Sequence, residues 1–331
     1  MSDSTLLLIS TIAAVIPTLF YVGIIYWVDR YEKEPAWLLA ATFFWGAVPS
    51  VLLALLLNTL LGLPVYALVR DGPYADTAVA VFVAPIVEES VKGLALLAIF
   101  LFWRHEIDSP LDGIIYGAMV GLGFAMVENI YYFMQEYWTG GTAAWRINVF
   151  LRTVIFGLNH ALFSSFTGLG IAISRLSPRL AVKWIAPVLG WGTAVFLHFM
   201  HNLTVATGSI LVCFSFFFDW GGICLILVIM LWALLQERSW IKKYLADEVA
   251  QNTLTVTQYQ LACSGHQRML FSLEMMLNKG WRANRRSARF FHRCSELAYK
   301  KHHHHLFADK QSAAAINKLR GEIHDLSQFL L

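Results

Sequence analysis

Charge is what this sequence has least of. Only 14% of its 331 residues are Asp, Glu, Lys or Arg, and 57% are hydrophobic. A typical soluble domain carries about 25% charged residues, so an ordinary soluble globular protein is excluded. The composition points instead to a polytopic membrane protein. Cysteine is scarce too, with four in all. Cys213 and Cys224 lie in an apolar segment and Cys263 and Cys294 near the C-terminus, with no spacing that makes a metal knuckle or a disulfide framework. The opening MSDSTLLLIS has no basic n-region, so the first apolar run reads as an uncleaved span. There is no internal repeat and no HExxH. No pair of Gly/Pro-interrupted apolar segments recurs in two halves, which speaks against a transporter. No connecting loop is long enough to fold as a domain, and no nucleic-acid partner is expected.

What is present is seven apolar segments, at 4–28, 36–61, 77–103, 111–134, 149–173, 184–207 and 209–235. The expected fold is all-α, a polytopic helical bundle of about seven transmembrane helices. The chain divides at about residue 235. Residues 1–235 hold 10 basic and 14 acidic side chains, and residues 236–331 hold 15 and 8. An apolar body is therefore followed by a basic, mainly helical tail. Arg30, Lys33, Arg104, Arg175, Arg179 and Lys183 fall on the tail's side of the membrane, and Arg70 and Arg146 on the other. The positive-inside rule then puts the N-terminus outside and the C-terminus in the cytoplasm, at a cell membrane. In the tail, Arg282, Arg285, Arg286, Arg289 and Arg293 share one helical face, suited to anionic inner-leaflet lipid or to docking. The run KHHHH at 301–305 reads as a solvated basic stretch, with metal capture as its alternative.

Inside the segments, polar residues are few and concentrated. Segment three has Glu88, Glu89 and Lys92; four has Glu128 and Asn129; five has Asn159 and His160; six has His198, His201 and Asn202. A charge at a helix centre costs roughly 2.5–3.5 kcal/mol on insertion scales. Glu88, Glu89, Lys92 and Glu128 facing lipid alone would together cost on the order of 10 kcal/mol. They must face the bundle interior or water, where ionisable groups mark function. Gly117, Gly121, Phe124 and Glu128 share a face of segment four. Thr153, Gly157, His160, Ser164 and Thr167 share one of segment five, and Gly190, Ala194, His198 and Asn202 one of segment six. Small residues on such faces permit close helix contact. Counted from the outer segment ends, Glu88, Glu128, His160 and His198 fall roughly 9–17 Å deep, in one layer.

Each residue alone has a plainer reading. Lys92 can simply neutralise a glutamate, a lone His160 can bond a neighbouring helix, and His201 can support His198. Asp219 in segment seven matches no partner by spacing and reads as structural. Their joint placement in one layer argues for a site. Two adjacent glutamates beside a lysine or histidine leave one carboxylate ionised, able to act as base toward water. Histidine and asparagine can stabilise a developing oxyanion. The same set can instead ligate zinc across helices. A proton- or cation-coupled transporter, or another non-catalytic binder, would use the same carboxylates, and a scaffold working through its tail would not need them.

These residues resemble the PrsW family of intramembrane proteases. EESVK (88–92) resembles its EExxK motif, FAMVEN (124–129) its FxxxEN, HALFSSFTG (160–168) its histidine followed by glycine, and HFMHN (198–202) its HxxxN. DRYEKEP (29–35) resembles its acidic-Pro turn after the first span. The motif plan is similar to that of the CAAX prenyl proteases and bacteriocin-processing proteins. The resemblance implies cleavage of a membrane-anchored protein, such as an anti-sigma factor, by an intramembrane peptidase of glutamate or metallo type. By position the resemblance points to Glu88, Glu89, Glu128, His160 and His198, with Asn202 in support. Taken with the layer, the expected catalytic residues are Glu88, Glu89, His160 and His198, supported by Lys92, Glu128, Asn129, His201 and Asn202. If a divalent metal such as zinc is bound, the expected ligands are His160, His198 and Glu128; the glutamate type needs no cofactor. The resemblance ends near residue 205, and nothing in it fixes the oligomeric state.

Overall fold

In a computed structural model the described residues are 2–29, 31, 33–70, 72–208, 211–308 and 310–328. All regular structure among them is helical. Arg30, one of the charges that orients the chain, lies outside them, as do Glu32 of the DRYEKEP turn and the first two residues of the seventh segment. By contacts the chain forms two units, residues 1–28 with 34–230, and 29–33 with 231–331.

The first unit contains α1 (Asp3–Val28), α2 (Ala36–Trp45), α3 (Val51–Val69), α4 (Gly72–Ala78), α5 (Ala84–Phe102), α6 (Pro110–Phe150), α7 (Asn159–Leu176), α8 (Leu180–Thr207) and the first part of α9 (Leu211–Ala250). Among the described residues, three π-helical stretches interrupt the run, at Gly46–Ser50, Val79–Val83 and Leu151–Ile155. The first contains Pro49, whose missing N–H the wider turn accommodates.

Among the described residues, five helical stretches are long and apolar enough to cross a bilayer: Asp3–Val28, Ala36–Val69, Pro110–Leu176, Leu180–Thr207 and Cys213–Ala250. The seven expected segments appear as these five for two reasons. Segment three is α5, whose three charges remove it from the set. Segments four and five run together, because the expected loop at 135–148 is helical except at Gly141, where φ is 68°. That left-handed value suits glycine, so the break falls there.

The buried centre is the pairing of α6 with α7. Ser109 caps α6, its hydroxyl accepting from the Leu111 and Asp112 amides at 3.1 and 3.4 Å, while Asp112 accepts from the Ser109 amide at 2.7 Å. Along the contact, a Cβ on Gly121 would overlap the His160 carbonyl. The glycine therefore lets two backbones touch, and it sets where His160 stands relative to α6. Further anchors are Tyr21, whose hydroxyl donates to the Thr153 carbonyl at 2.6 Å, and Tyr116, whose hydroxyl donates to Glu34.

The second unit contains the end of α9 with α10 (Val256–Ala262), α11 (Gly265–Lys279), α12 (Trp281–Phe307) and α13 (Lys310–Ser327). Its core includes Ile241, Leu245, Phe290, Cys294, Leu297 and Ile323. Burial pushes the Cys294 thiol up to about 12, so it packs as an inert apolar group. Arg268 is buried with neutral partners. It donates to the Ala262 and Tyr31 carbonyls and to Ser295 Oγ, and its guanidinium faces the Tyr31 ring at 5.2 Å.

Two expectations about the tail change here. The KHHHH run is not a solvated stretch. Lys301 donates to Asp247 at 2.6 Å and to Glu248 at 2.7 Å, His302 stacks on Trp240 at 4.1 Å, and His303 meets Ser312 at 3.0 Å. Its helical register turns these side chains toward α9 and α13. Arg293 also departs from the basic face, pairing with Glu296 at 2.5 Å and Glu322 at 2.8 Å. Arg282, Arg285, Arg286 and Arg289 stay exposed.

Candidate functional site

Glu88, Glu89 and Lys92 lie on α5 within one turn, directed inward. Pro85 stands in the first turn of α5, just after a π-helical stretch, so the entry of the helix is fixed close to the glutamates. Glu89 is fully enclosed. Its Oε1 accepts from Lys92 Nζ at 2.5 Å and lies 2.9 Å from His198 Nδ1, and its Oε2 accepts from Ser164 Oγ at 3.1 Å. Three helices thus meet on one carboxylate. Bonding at Nδ1 places the His198 proton there and leaves a lone pair on Nε2. That Nε2 faces Glu88 Oε2 at 3.8 Å. The Phe163 ring stacks on His198 at 4.9 Å and holds its plane.

His160, on α7, meets Lys92 Nζ at 3.2 Å through Nδ1 and Glu128 Oε2 at 2.8 Å through Nε2. The ammonium can only donate, so Nδ1 accepts and the ring proton sits on Nε2, toward Glu128. Glu128 is also held by Arg152 Nη2 at 2.6 Å, and Arg152 Nε donates to Asn129 Oδ1 at 2.7 Å. The guanidinium lies 4.1 Å above the Tyr132 ring.

A third group sits alongside. Asp219 Oδ2 is 2.7 Å from His201 Nδ1 and accepts from Asn159 Nδ2 at 2.9 Å. Asp219, which matched no partner by spacing, therefore has two. It comes from α9, and spacing along one helix cannot reveal a contact made from another. Asn202 Nδ2 donates to the Ala80 carbonyl at 2.8 Å, tying α8 to the π-helical stretch before α5.

These groups surround a cavity of about 160 Å³. Glu88, Glu128, Asn129, His160, His198, His201 and Asn202 all line it, whereas Glu89 and Lys92 stand behind its wall. Arg152 and Tyr132 line it as well and were not expected. Arg152 was detectable in principle: an arginine inside an apolar segment needs a buried acid, and Glu128 was an acid without an assigned partner. Ser164 appeared only as a small residue on a packing stripe.

Ligand atoms of Glu88, His160 and His198 lie within 4.8 Å of one another. Glu88 Oε2 is buried and has no hydrogen-bond partner among the described residues. Two imidazole nitrogens and one carboxylate suit zinc or a similar divalent ion. The set differs from the expected one by holding Glu88 where Glu128 was anticipated. His198 offers a lone pair at Nε2; His160 would have to give up its present partners, because freeing Nε2 puts its proton on Nδ1, against the Lys92 ammonium.

A multi-pass helical membrane protein with a buried Glu/His/His cluster in its bundle is the class that fold and site define. Residues 34–235 match the family described as PrsW family intramembrane metalloprotease. The match covers more than half of the chain, and the chain belongs to that family. It is similar to Protease PrsW of Clostridioides difficile, 38% identical over 126 residues, or 37% of this chain and 50% of that protein. Protease PrsW of Geobacillus kaustophilus is 28% identical over 196 residues, 58% of this chain and 76% of that protein. Protease PrsW of Bacillus subtilis is 28% identical over 178 residues, 52% of this chain and 72% of that protein. The chain thus spans half the length of the first relative and about three quarters of the other two. No solved structure matches.

Proposed function

We propose that this chain is an intramembrane endopeptidase that hydrolyses a peptide bond in a membrane-anchored protein, near the outer membrane face. The observation that carries the reading is the Glu88–His160–His198 cluster on the wall of a cavity, with one buried Glu88 oxygen unmet. Glu88, His160 and His198 would hold a divalent cation. When bound, that ion supplies Lewis acidity toward a carbonyl and water. Glu89 fixes the His198 tautomer, and Lys92 balances Glu89. Glu88 faces the histidines and Glu89 is fully hydrogen-bonded, so Glu128 is the carboxylate left to take a proton from water and return it to the leaving amine. Arg152 holds Glu128 in position, and Asn129 holds Arg152.

The proposed topology has seven crossings, with the N-terminus outside and the C-terminus in the cytoplasm. It follows by dividing Pro110–Leu176 at Gly141 and counting α5, whose three charged side chains are buried in the bundle. The proposed division of the chain is a protease domain over 1–235 and a basic tail over 236–331.

The test is cleavage of a membrane-anchored reporter by purified protein, before and after chelation and zinc return. Cleavage lost on chelation and restored by zinc is expected. Cleavage that persists in metal-free protein would remove the metal from the reading, and uncleaved reporter with retained cation flux would replace the peptidase by a transporter.

A further inference from the structure

The tail exposes an apolar stripe that its own packing does not use. Along α11, Met269, Leu270, Leu273, Met276 and Leu277 follow i, i+1, i+4, i+7 and i+8, and all are exposed, Leu277 at 72%. They occupy one sector of the helix, while Phe271 and Met275 face the core from another. Trp281, 64% exposed, continues the apolar surface at the start of α12. In a spanning helix such exposure is what lipid requires. α11 cannot span: it has 15 residues and includes Arg268, Glu274 and Lys279.

Immediately after Trp281 come Arg282, Arg285, Arg286 and Arg289, all exposed on one sector of α12. Leu and Met along a helix, a tryptophan at its end and a basic cluster beside it are the elements of an interfacial membrane anchor. Aliphatic side chains enter the acyl boundary, tryptophan prefers the headgroup level, and arginines meet phosphate. The tail's excess of 15 basic over 8 acidic residues complements an anionic surface. The chain's own spans keep that surface at high effective concentration.

We infer that the α11 stripe and the α12 arginines form a docking face for an anionic phospholipid bilayer. The inference is independent of the peptidase reading, because it uses no residue of the cavity.

The full chain is placed in nanodiscs with an environment-sensitive fluorophore on Leu273→Cys, and exposed Cys213 and Cys224 are replaced by serine. Cys263 and Cys294 are buried, which keeps them unlabelled. Gln267→Cys, on the polar side of α11, is the control, and Leu277→Cys repeats the measurement should the first variant be unstable. In discs containing phosphatidylglycerol, brominated acyl chains are expected to quench the label at 273 and leave that at 267 bright. Each of Arg282→Gln, Arg285→Gln and Arg289→Gln should lower the docked-to-free ratio by about five-fold. A label at 273 open to aqueous iodide in these discs would overturn the proposal. So would a label shielded from iodide but untouched by brominated lipid, which would mean that a protein, or a second copy of this chain, covers the stripe.

Discussion

Both units bury charge, and they treat it differently. In the tail, Glu248 is fully enclosed and receives Lys301 at 2.7 Å and Arg320 at 2.8 Å. Arg268 is equally well supplied by two carbonyls and a hydroxyl. In the membrane unit, Glu89 is met from three sides, yet its neighbour Glu88 keeps a buried oxygen with no hydrogen bond, beside a cavity. A satisfied buried charge holds a fold together. A buried charge left partly unmet next to open space retains capacity for a ligand, and a fold keeps such a liability only where it serves function. Asp219 also keeps one buried oxygen unmet but does not line the cavity, so it is the unmet carboxylate oxygen together with open space that marks Glu88.

The sharpest way to break this contrast is at Glu88. Glu88→Gln or His198→Ala should lower reporter cleavage by about 10³-fold or more and abolish stoichiometric zinc, read by elemental analysis. Zinc retained at wild-type stoichiometry in both variants would remove the cluster as a metal centre. Glu128→Gln should cost about 10²–10³-fold in cleavage and leave bound zinc unchanged, because only the proton step is touched. Loss of zinc in that variant would make Glu128 a ligand instead. Glu89→Gln leaves the fully buried Lys92 without its carboxylate. It should destabilise the membrane unit by about 3–5 kcal/mol and weaken zinc by about 10–100-fold, read by thermal unfolding and metal titration. The smallest effect belongs to the tail. Lys301→Met should destabilise it by about 1–3 kcal/mol while cleavage stays within about two-fold. A large loss of cleavage there would show that tail and site are energetically coupled.

The helical character and the motif residues were legible because lipid exposure writes itself into composition and because buried charges are rare enough to stand out. The small-residue stripe holding Gly117 and Gly121 was legible for the same reason, since close helix contact leaves little choice of side chain. What the sequence hid was partnership between helices. Asp219 meets His201 and Asn159, Arg152 meets Glu128, and Ser164 meets Glu89. All of these are contacts from separate helices, and no periodicity within a helix encodes them. The assignment of roles among the three glutamates was hidden likewise, because a one-residue step from 88 to 89 turns a side chain from the cavity to the space behind it. The exposed stripe of α11 carried a helical pattern, but an apolar face reads alike whether core or bilayer covers it.

The charges on α5 also bear on how the protein enters its membrane. A helix of 19 residues with Glu88, Glu89 and Lys92 at its middle gains too little from its apolar residues to partition into lipid alone. Its partners Ser164, His160 and His198 lie on α7 and α8, which are synthesised later. If α5 crosses the bilayer as proposed, it is expected to settle there only once those helices are present. The residues proposed to act on substrates would then also hold α5 in the bilayer, and assembly of the site and completion of the proposed topology would be one event.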